Sequence, residues 1–142
     1  MRVMAVDYGT KAIGLAICDE LQLTVRPLAT IRRERRDRNR VAERIGNLVV
    51  EHEVGALVVG LPLNMDGTRG AAVERVEQFI AKLSPLITVP IVRLDERLTS
   101  READEMLREM GIKERERRAK SDEYAALILL QDYLSTQPNE TI

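Results

Sequence analysis

The stretch that most restricts the fold is Met4-Ala5-Val6-Asp7-Tyr8-Gly9-Thr10-Lys11-Ala12-Ile13-Gly14-Leu15-Ala16-Ile17-Cys18-Asp19. It holds two aliphatic runs separated by a short polar turn. Each run is too short for a helix and is bounded by turn residues, so Arg2 to Val6 and Ile13 to Ile17 read as buried strands. So short a connection makes the pair antiparallel. Gly9 offers a position where the backbone can reach positive φ and where a phosphate or metal can approach the main chain. Asp7 then sits at the hairpin mouth, on stiff backbone yet within reach of a cation. The other reading is a hairpin whose Asp simply bonds turn amides.

A third strand, Val25 to Arg32, contains Pro27, which removes a ladder donor and places this strand at a sheet edge. From Arg32 to Arg40 there are six Arg against two acids. This cluster leads into a helix of Asp37 to Glu53, whose Val41, Ile45, Leu48 and Val49 form one apolar stripe. The spacing places the Arg side chains at the helix start and on its solvent face, suited either to phosphate contact or to plain solvation. Gly55 is expected to end the helix. Ala56 to Leu61 is a continuous apolar run, as in a parallel strand buried on both faces. The loop Pro62 to Gly70 has Asp-Gly turn chemistry and precedes a helix of Ala71 to Leu83. It lies at the carboxyl end of a buried strand, the edge where open α/β sheets hold ligands.

Thr88 to Leu94 reads as the next strand. Asp95-Glu96 follows, and in extended chain only one of two neighbours can share a face with Asp7. Thr99 or Ser100 caps a helix of Arg101 to Met110, stopped by Gly111. Lys113 to Lys120 holds five basic and two acidic residues and is expected to be a flexible basic loop. A last helix, Ser121 to Ser135, opens on Asp122 and is apolar over much of its surface. Residues 136–142 read as a flexible tail, leaving residues 1–135 as one domain.

The order is three antiparallel strands, then helix, strand, helix, strand, helix, helix. That is an α/β layout with a mixed sheet flanked by helices. A chain of 142 residues with a net charge of −1 has no global basic field, so nucleic-acid contact must come from local basic clusters. One Cys and one His exclude a Cys/His zinc site. His52 reads as a helix-end residue. The lone Cys18, the absence of a signal peptide, and apolar runs shorter than the roughly 18–20 residues of a membrane span suit a reduced cytoplasmic setting. With one Phe, three Tyr and no Trp, base stacking is a poor main recognition mode, and backbone contact is favoured.

Three acids stand at element ends that such a sheet can bring together: Asp7, Glu96 (or Asp95) and Asp122. Clustered carboxylates raise one another's pKa unless a cation intervenes. Oxygen donors without His or Cys suit Mg²⁺ or Mn²⁺. Such ions can activate water and stabilise a leaving oxygen in phosphodiester cleavage.

Taken together, Asp7-Tyr8-Gly9-Thr10-Lys11-Ala12-Ile13-Gly14, Val59-Gly60-Leu61-Pro62-Leu63-Asn64-Met65-Asp66-Gly67-Thr68, Asp95-Glu96-Arg97-Leu98-Thr99-Ser100 and Lys120-Ser121-Asp122 resemble the YqgF (RuvX) family. These are pre-16S rRNA nucleases, also described as Holliday-junction-resolvase-like. The resemblance implies a ribonuclease H-like fold with a mixed five-stranded sheet, three strands antiparallel and two parallel. It implies Asp7, Glu96 and Asp122 as catalytic acids and Mg²⁺ or Mn²⁺ ligands, with Asp95, Gly9, Lys11 and Arg97 as possible additions. The segment Gly60 to Gly70 would shape the rim. Nucleic-acid contacts are expected from Arg33, Arg36, Arg40, Asn64, Arg69, Arg115, Arg117, Arg118 and Lys120. Lys11 replaces the usual Arg, keeping charge but losing the guanidinium fork, and Ser100 replaces Thr.

The implied function is a metal-dependent nuclease acting on the 5′ end of pre-16S rRNA, with the pre-ribosomal particle as a possible partner. Its alternatives are a resolvase of four-way DNA junctions and a non-catalytic RNA-binding assembly factor. The chain would act as a monomer, or as the homodimer that symmetric junction cleavage requires. An Asp-x-Gly-Thr hairpin also resembles the phosphate loop of the actin and sugar-kinase fold. That fold needs two such domains, which 142 residues do not hold.

Overall fold

The computed structural model describes residues 1–33, 38–96, 105, 108–109, 111 and 113–136, with backbone alone at 38–39, 114 and 116–123. The elements are β1 (Arg2–Tyr8), β2 (Ala12–Cys18), β3 (Val25–Arg32), α1 (Arg38–Glu51), β4 (Val54–Leu61), α2 (Ala71–Leu83), β5 (Ile91–Asp95) and α3 (Glu114–Thr136). The strands form one sheet in the order β3-β2-β1-β4-β5. β1–β2 and β2–β3 are antiparallel, whereas β1–β4 and β4–β5 are parallel. This is the expected mixed sheet. β3 is an edge strand, and its register shifts between Leu15 and Ala16 of β2, where Ala16 pairs with Pro27.

Side chains alternate across the sheet and so feed two apolar layers. Met4 and Val6 of β1, with Leu57 and Val59 of β4, pack against Ile45 and Val49 of α1 and Val73, Val76 and Ile80 of α2. Val3 and Ala5, with Ala56 and Val58, pack against Ala126, Leu129 and Leu130 of α3. The predicted α2 stripe is buried as spaced, including Phe79 and Leu83. Cys18 is buried in β2, and its sulfur accepts the Val3 N–H at 3.2 Å. His52 follows α1, with its N–H bonded to the Leu48 carbonyl.

Four expectations need correcting. The segment 113–120 is not a loop, because α3 begins at Glu114 and runs 23 residues. Glu, Arg, Ala and Lys are strong helix formers, and Glu114/Arg118 and Glu116/Lys120 have helix-supporting i, i+4 spacing. Charge was therefore a poor guide to a loop. Asp122 consequently lies two turns inside a helix rather than at its start. Gly55 does not end α1, since it lies within β4. The turn instead uses Glu53 at φ 52, and the exposed Met1 side chain lies over Gly55. β5 begins at Ile91 rather than Thr88, after a 3-10 turn at Ser84–Leu86. Pro90 uses its carbonyl to accept from the Leu57 N–H. Finally, Gly9 is not at positive φ, whereas Gly67, in the expected Asp-Gly turn, is at φ 86. The Gly9 turn closes by its N–H donating to the Ala12 carbonyl at 3.0 Å.

The helix expected at 101–110 lies mostly outside the described residues. So do the expected start of α1 at Asp37 and the tail beyond Thr136. Among the described residues, no helix is long and apolar enough to cross a membrane.

Candidate active site

Asp7 is the sixth residue of β1, opposite Gly14 of β2. It follows Val3 and Ala5 in the alternation and so stands on the α3 face. The β1–β4 register pairs Val6 with Val59, so the next β4 residue, Gly60, lies beside Asp7 on that face. Glu96 follows β5, its N–H donating to the Leu61 carbonyl at 3.1 Å. Its carboxylate lies over Gly60, where Oε2 occupies the space a Cβ would need. The side chain of Leu129 from α3 comes within 3.2 Å of the same point. Three elements thus meet at a position where only a hydrogen projects from the sheet.

This seating brings Glu96 against Asp7. Burial, first of all, pushes the Glu96 carboxyl up to about 9. The Asp7 charge, a hydrogen bond to Asp7 and the Asp95 charge act in the same direction. Near neutral pH the metal-free pair therefore holds a proton between two carboxyls, as expected of carboxylates sharing a site. Of the two acids ending the strand, Glu96 is thus the one placed against Asp7. Asp95 is exposed and ends β5 opposite Leu61.

The hairpin turn forms the adjoining wall. Arg33 folds back onto it rather than standing in solvent. Its N–H donates to the Lys11 carbonyl at 2.9 Å, and Nη1 donates to the Gly9 and Thr10 carbonyls at 3.1 and 3.3 Å. Its guanidinium carbon sits 4.4 Å from the centroid of the Tyr8 ring, a cation–π distance. Tyr8 in turn stacks on Phe79 of α2, with ring centroids 4.5 Å apart. A cleft of about 210 Å³ opens here, lined by Asp7, Tyr8, Gly9, Arg33, Arg75 and Glu96 among others. Sequence reasoning missed Tyr8 and Arg75. The available signal was that α2 starts just beyond the carboxyl end of β4, which puts its first turns at the ligand edge of the sheet.

The other expected contacts divide. Asn64 is used inside its own loop: Nδ2 donates to Thr68 Oγ1 at 2.9 Å, and the Thr68 N–H and hydroxyl donate to Asp66. Arg69 pairs with Glu77 at 3.4 Å. Lys11, Arg40 and Arg115 are exposed. Arg36 and Arg97 lie outside the described residues, as do the side chains of Arg117, Arg118, Lys120 and Asp122.

Among the described residues no three His, Cys, Asp or Glu side chains gather as a metal site. The pair Asp7 and Glu96 is nonetheless a fitting donor set for a hard divalent cation. It offers carboxylate oxygens alone, and a cation there would replace the proton the pair now holds. Asp122 lies seven residues before Leu129 on α3, two turns of the same helix.

A family model described as "RuvX: Holliday junction resolvase" matches residues 1–136. A protein of Roseiflexus sp. (strain RS-1) named "Putative pre-16S rRNA nuclease" is 46% identical over 136 residues, covering 96% of this chain and 95% of its own. One of the same name from Syntrophus aciditrophicus (strain SB) is 42% identical over 142 residues, covering 100% and 93%. Among solved structures, T. thermophilus RuvC in complex with a Holliday junction substrate has a TM-score of 0.62. It is 16% identical, covering 95% of this chain and 94% of its own. The fowlpox virus Holliday junction resolvase has a TM-score of 0.61 at 14% identity, covering 96% and 100%. At such identities the structural likeness speaks for the fold.

Proposed function

Because the chain belongs to the RuvX family, we propose that it is a metal-dependent nuclease that trims the 5′ end of pre-16S rRNA. The observation that carries this reading is the Asp7–Glu96 pair, seated over Gly60 at the edge of a cleft that also holds Arg33 and Arg75. Asp7, Glu96 and Asp122 would hold Mg²⁺ or Mn²⁺. The cation, when bound, supplies the positive charge that lowers the pKa of water and stabilises developing charge on a phosphodiester.

The chain's own residues do the rest. Asp7 fixes the site to the centre of the sheet, where strand backbone on both sides prevents drift. Glu96 is the adjustable member, neutral or charged according to whether a cation is present. Arg33, clamped to the turn carbonyls, meets the substrate backbone with its position already fixed, which lowers the ordering cost of binding. Arg40 and Arg115, both exposed, are further candidates for contact with the backbone, and Arg36, Arg117, Arg118 and Lys120 are candidates on sequence alone. A cytoplasmic location and pre-ribosomal particles as the working setting agree with this substrate.

The family description, Holliday junction resolvase, supports a second reading in which the substrate is a four-way DNA junction. That reaction calls for two active sites and hence a two-fold dimer. End-labelled substrates separate the two. Incubated with Mg²⁺ or Mn²⁺, the chain is expected to cut an RNA carrying the precursor 5′ leader of small-subunit rRNA and to leave a four-way junction intact. Cutting of the junction alone would replace the first reading with the second. Binding of the RNA without any cutting would leave an assembly factor.

A further inference from the structure

The basic side chains on and around α2 divide into those already engaged and those that are not. Arg93 grips Glu77 with Nε and Nη2 at 2.7 and 3.0 Å. Arg69 bonds the same carboxylate at 3.4 Å. These two cations share one anion on the flank of α2. Arg75 lies on the same helix, two residues before Glu77, yet it lines the cleft with Asp7 and Glu96. Among the described residues Arg75 makes no hydrogen bond or ion pair. Arg33 lines the same cleft from the end of β3, locked by two carbonyls and a ring face.

Two guanidiniums, one fixed and one unengaged, therefore border a cleft whose remaining charged groups are carboxyls. A phosphodiester has two non-bridging oxygens and one negative charge. The planar guanidinium fork matches that geometry better than an ammonium does. We propose that Arg33 and Arg75 form a subsite for one phosphodiester of a nucleic-acid backbone, presenting it to Asp7 and Glu96. The proposal rests on the nuclease reading above, adds Arg75 to its contacts and removes Arg69 from them. Because the subsite reads phosphate, it is indifferent to base sequence.

The test is binding of labelled single-stranded RNA and DNA in EDTA, where cleavage does not interfere, across a salt series. Arg75→Ala is expected to weaken binding about tenfold near 0.1 M salt. It should also reduce the slope of log K against log salt by about 0.7, the loss of one phosphate contact on a single strand. Arg75→Lys should keep the slope and recover part of the affinity. Arg69→Ala should change the slope little. An unchanged melting temperature is expected for Arg75→Ala, because the side chain is exposed. Unchanged affinity and slope in Arg75→Ala would overturn the subsite, as would an equal loss in Arg69→Ala. If the wild-type chain binds neither nucleic acid, the nuclease reading falls and the subsite with it. If the wild type binds and cuts while Arg75→Ala matches it, the subsite alone falls.

Discussion

Asp7→Asn is expected to lower cleavage by at least about 10³-fold, the scale on which one member of a catalytic unit fails, while the fold and nucleic-acid affinity stay near wild type. The side chains are almost the same size, and the residue sits in a strand paired on both sides, so the backbone has no cause to move. What changes is charge. The Asp7 carboxylate and its hydrogen bond are the second and third causes of the raised Glu96 pKa, after burial. Removing them should bring the Glu96 value down, but not to the ordinary carboxylate range, because burial remains. Cleavage assays report the first effect. Carboxyl ¹³C titration of Glu96 reports the second and shows whether the pair is coupled as the geometry requires.

Gly60→Ala is expected to cost nearly as much activity, although it replaces no ionisable residue. A Cβ there collides with Glu96 Oε2 and lies 2.8 Å from Glu96 Cδ and 3.2 Å from Leu129 Cδ2. The carboxylate must leave its seat, or α3 must move away from the sheet. Overpacking of this kind typically costs about 1–3 kcal/mol of stability, so the protein should still fold at a lower melting temperature. The diagnostic is the double variant Gly60→Ala/Glu96→Asp. Aspartate is one methylene shorter, and its carboxylate has room above an alanine. Partial recovery of the rate over Gly60→Ala alone, measured under single-turnover conditions, would identify displacement of Glu96 as the fault. No recovery, with melting still lowered, would argue that α3 rather than Glu96 had been displaced.

Much of this arrangement was legible in the residue pattern, because local chemistry decided it. The hairpin from Arg2 to Cys18 follows from two short aliphatic runs and a turn. β4 follows from an unbroken apolar run, and α2 from a stripe at helical spacing. Pro27 placed β3 at the edge through its missing N–H. The seating of Glu96 was only half legible: alternation said that one of Asp95 and Glu96 joins Asp7 but not which. That choice depends on the Leu61 carbonyl anchoring the Glu96 N–H and on an empty place at Gly60, both tertiary facts. The start of α3 was misread because a charged run suits a solvated loop or a solvated helix equally well, and here helix propensity prevailed. Arg33 looked like one Arg among six. Only the packing of Tyr8 on Phe79 created the ring face on which it rests.

Asp7 and Glu96 are proposed as a cation site whose occupation displaces a proton. Calorimetric titration of Mn²⁺ in buffers of different ionisation enthalpy tests it directly. With Glu96 pushed up to about 9, the metal-free pair holds a proton below that pH and must release it to bind a cation. Release of about one proton per binding event is expected at pH 7.5. Affinity should rise up to about tenfold per pH unit and level off near pH 9, and this binding should be lost in Asp7→Asn. Mn²⁺ binding without proton release, or binding unchanged in Asp7→Asn, would contradict the proposed site.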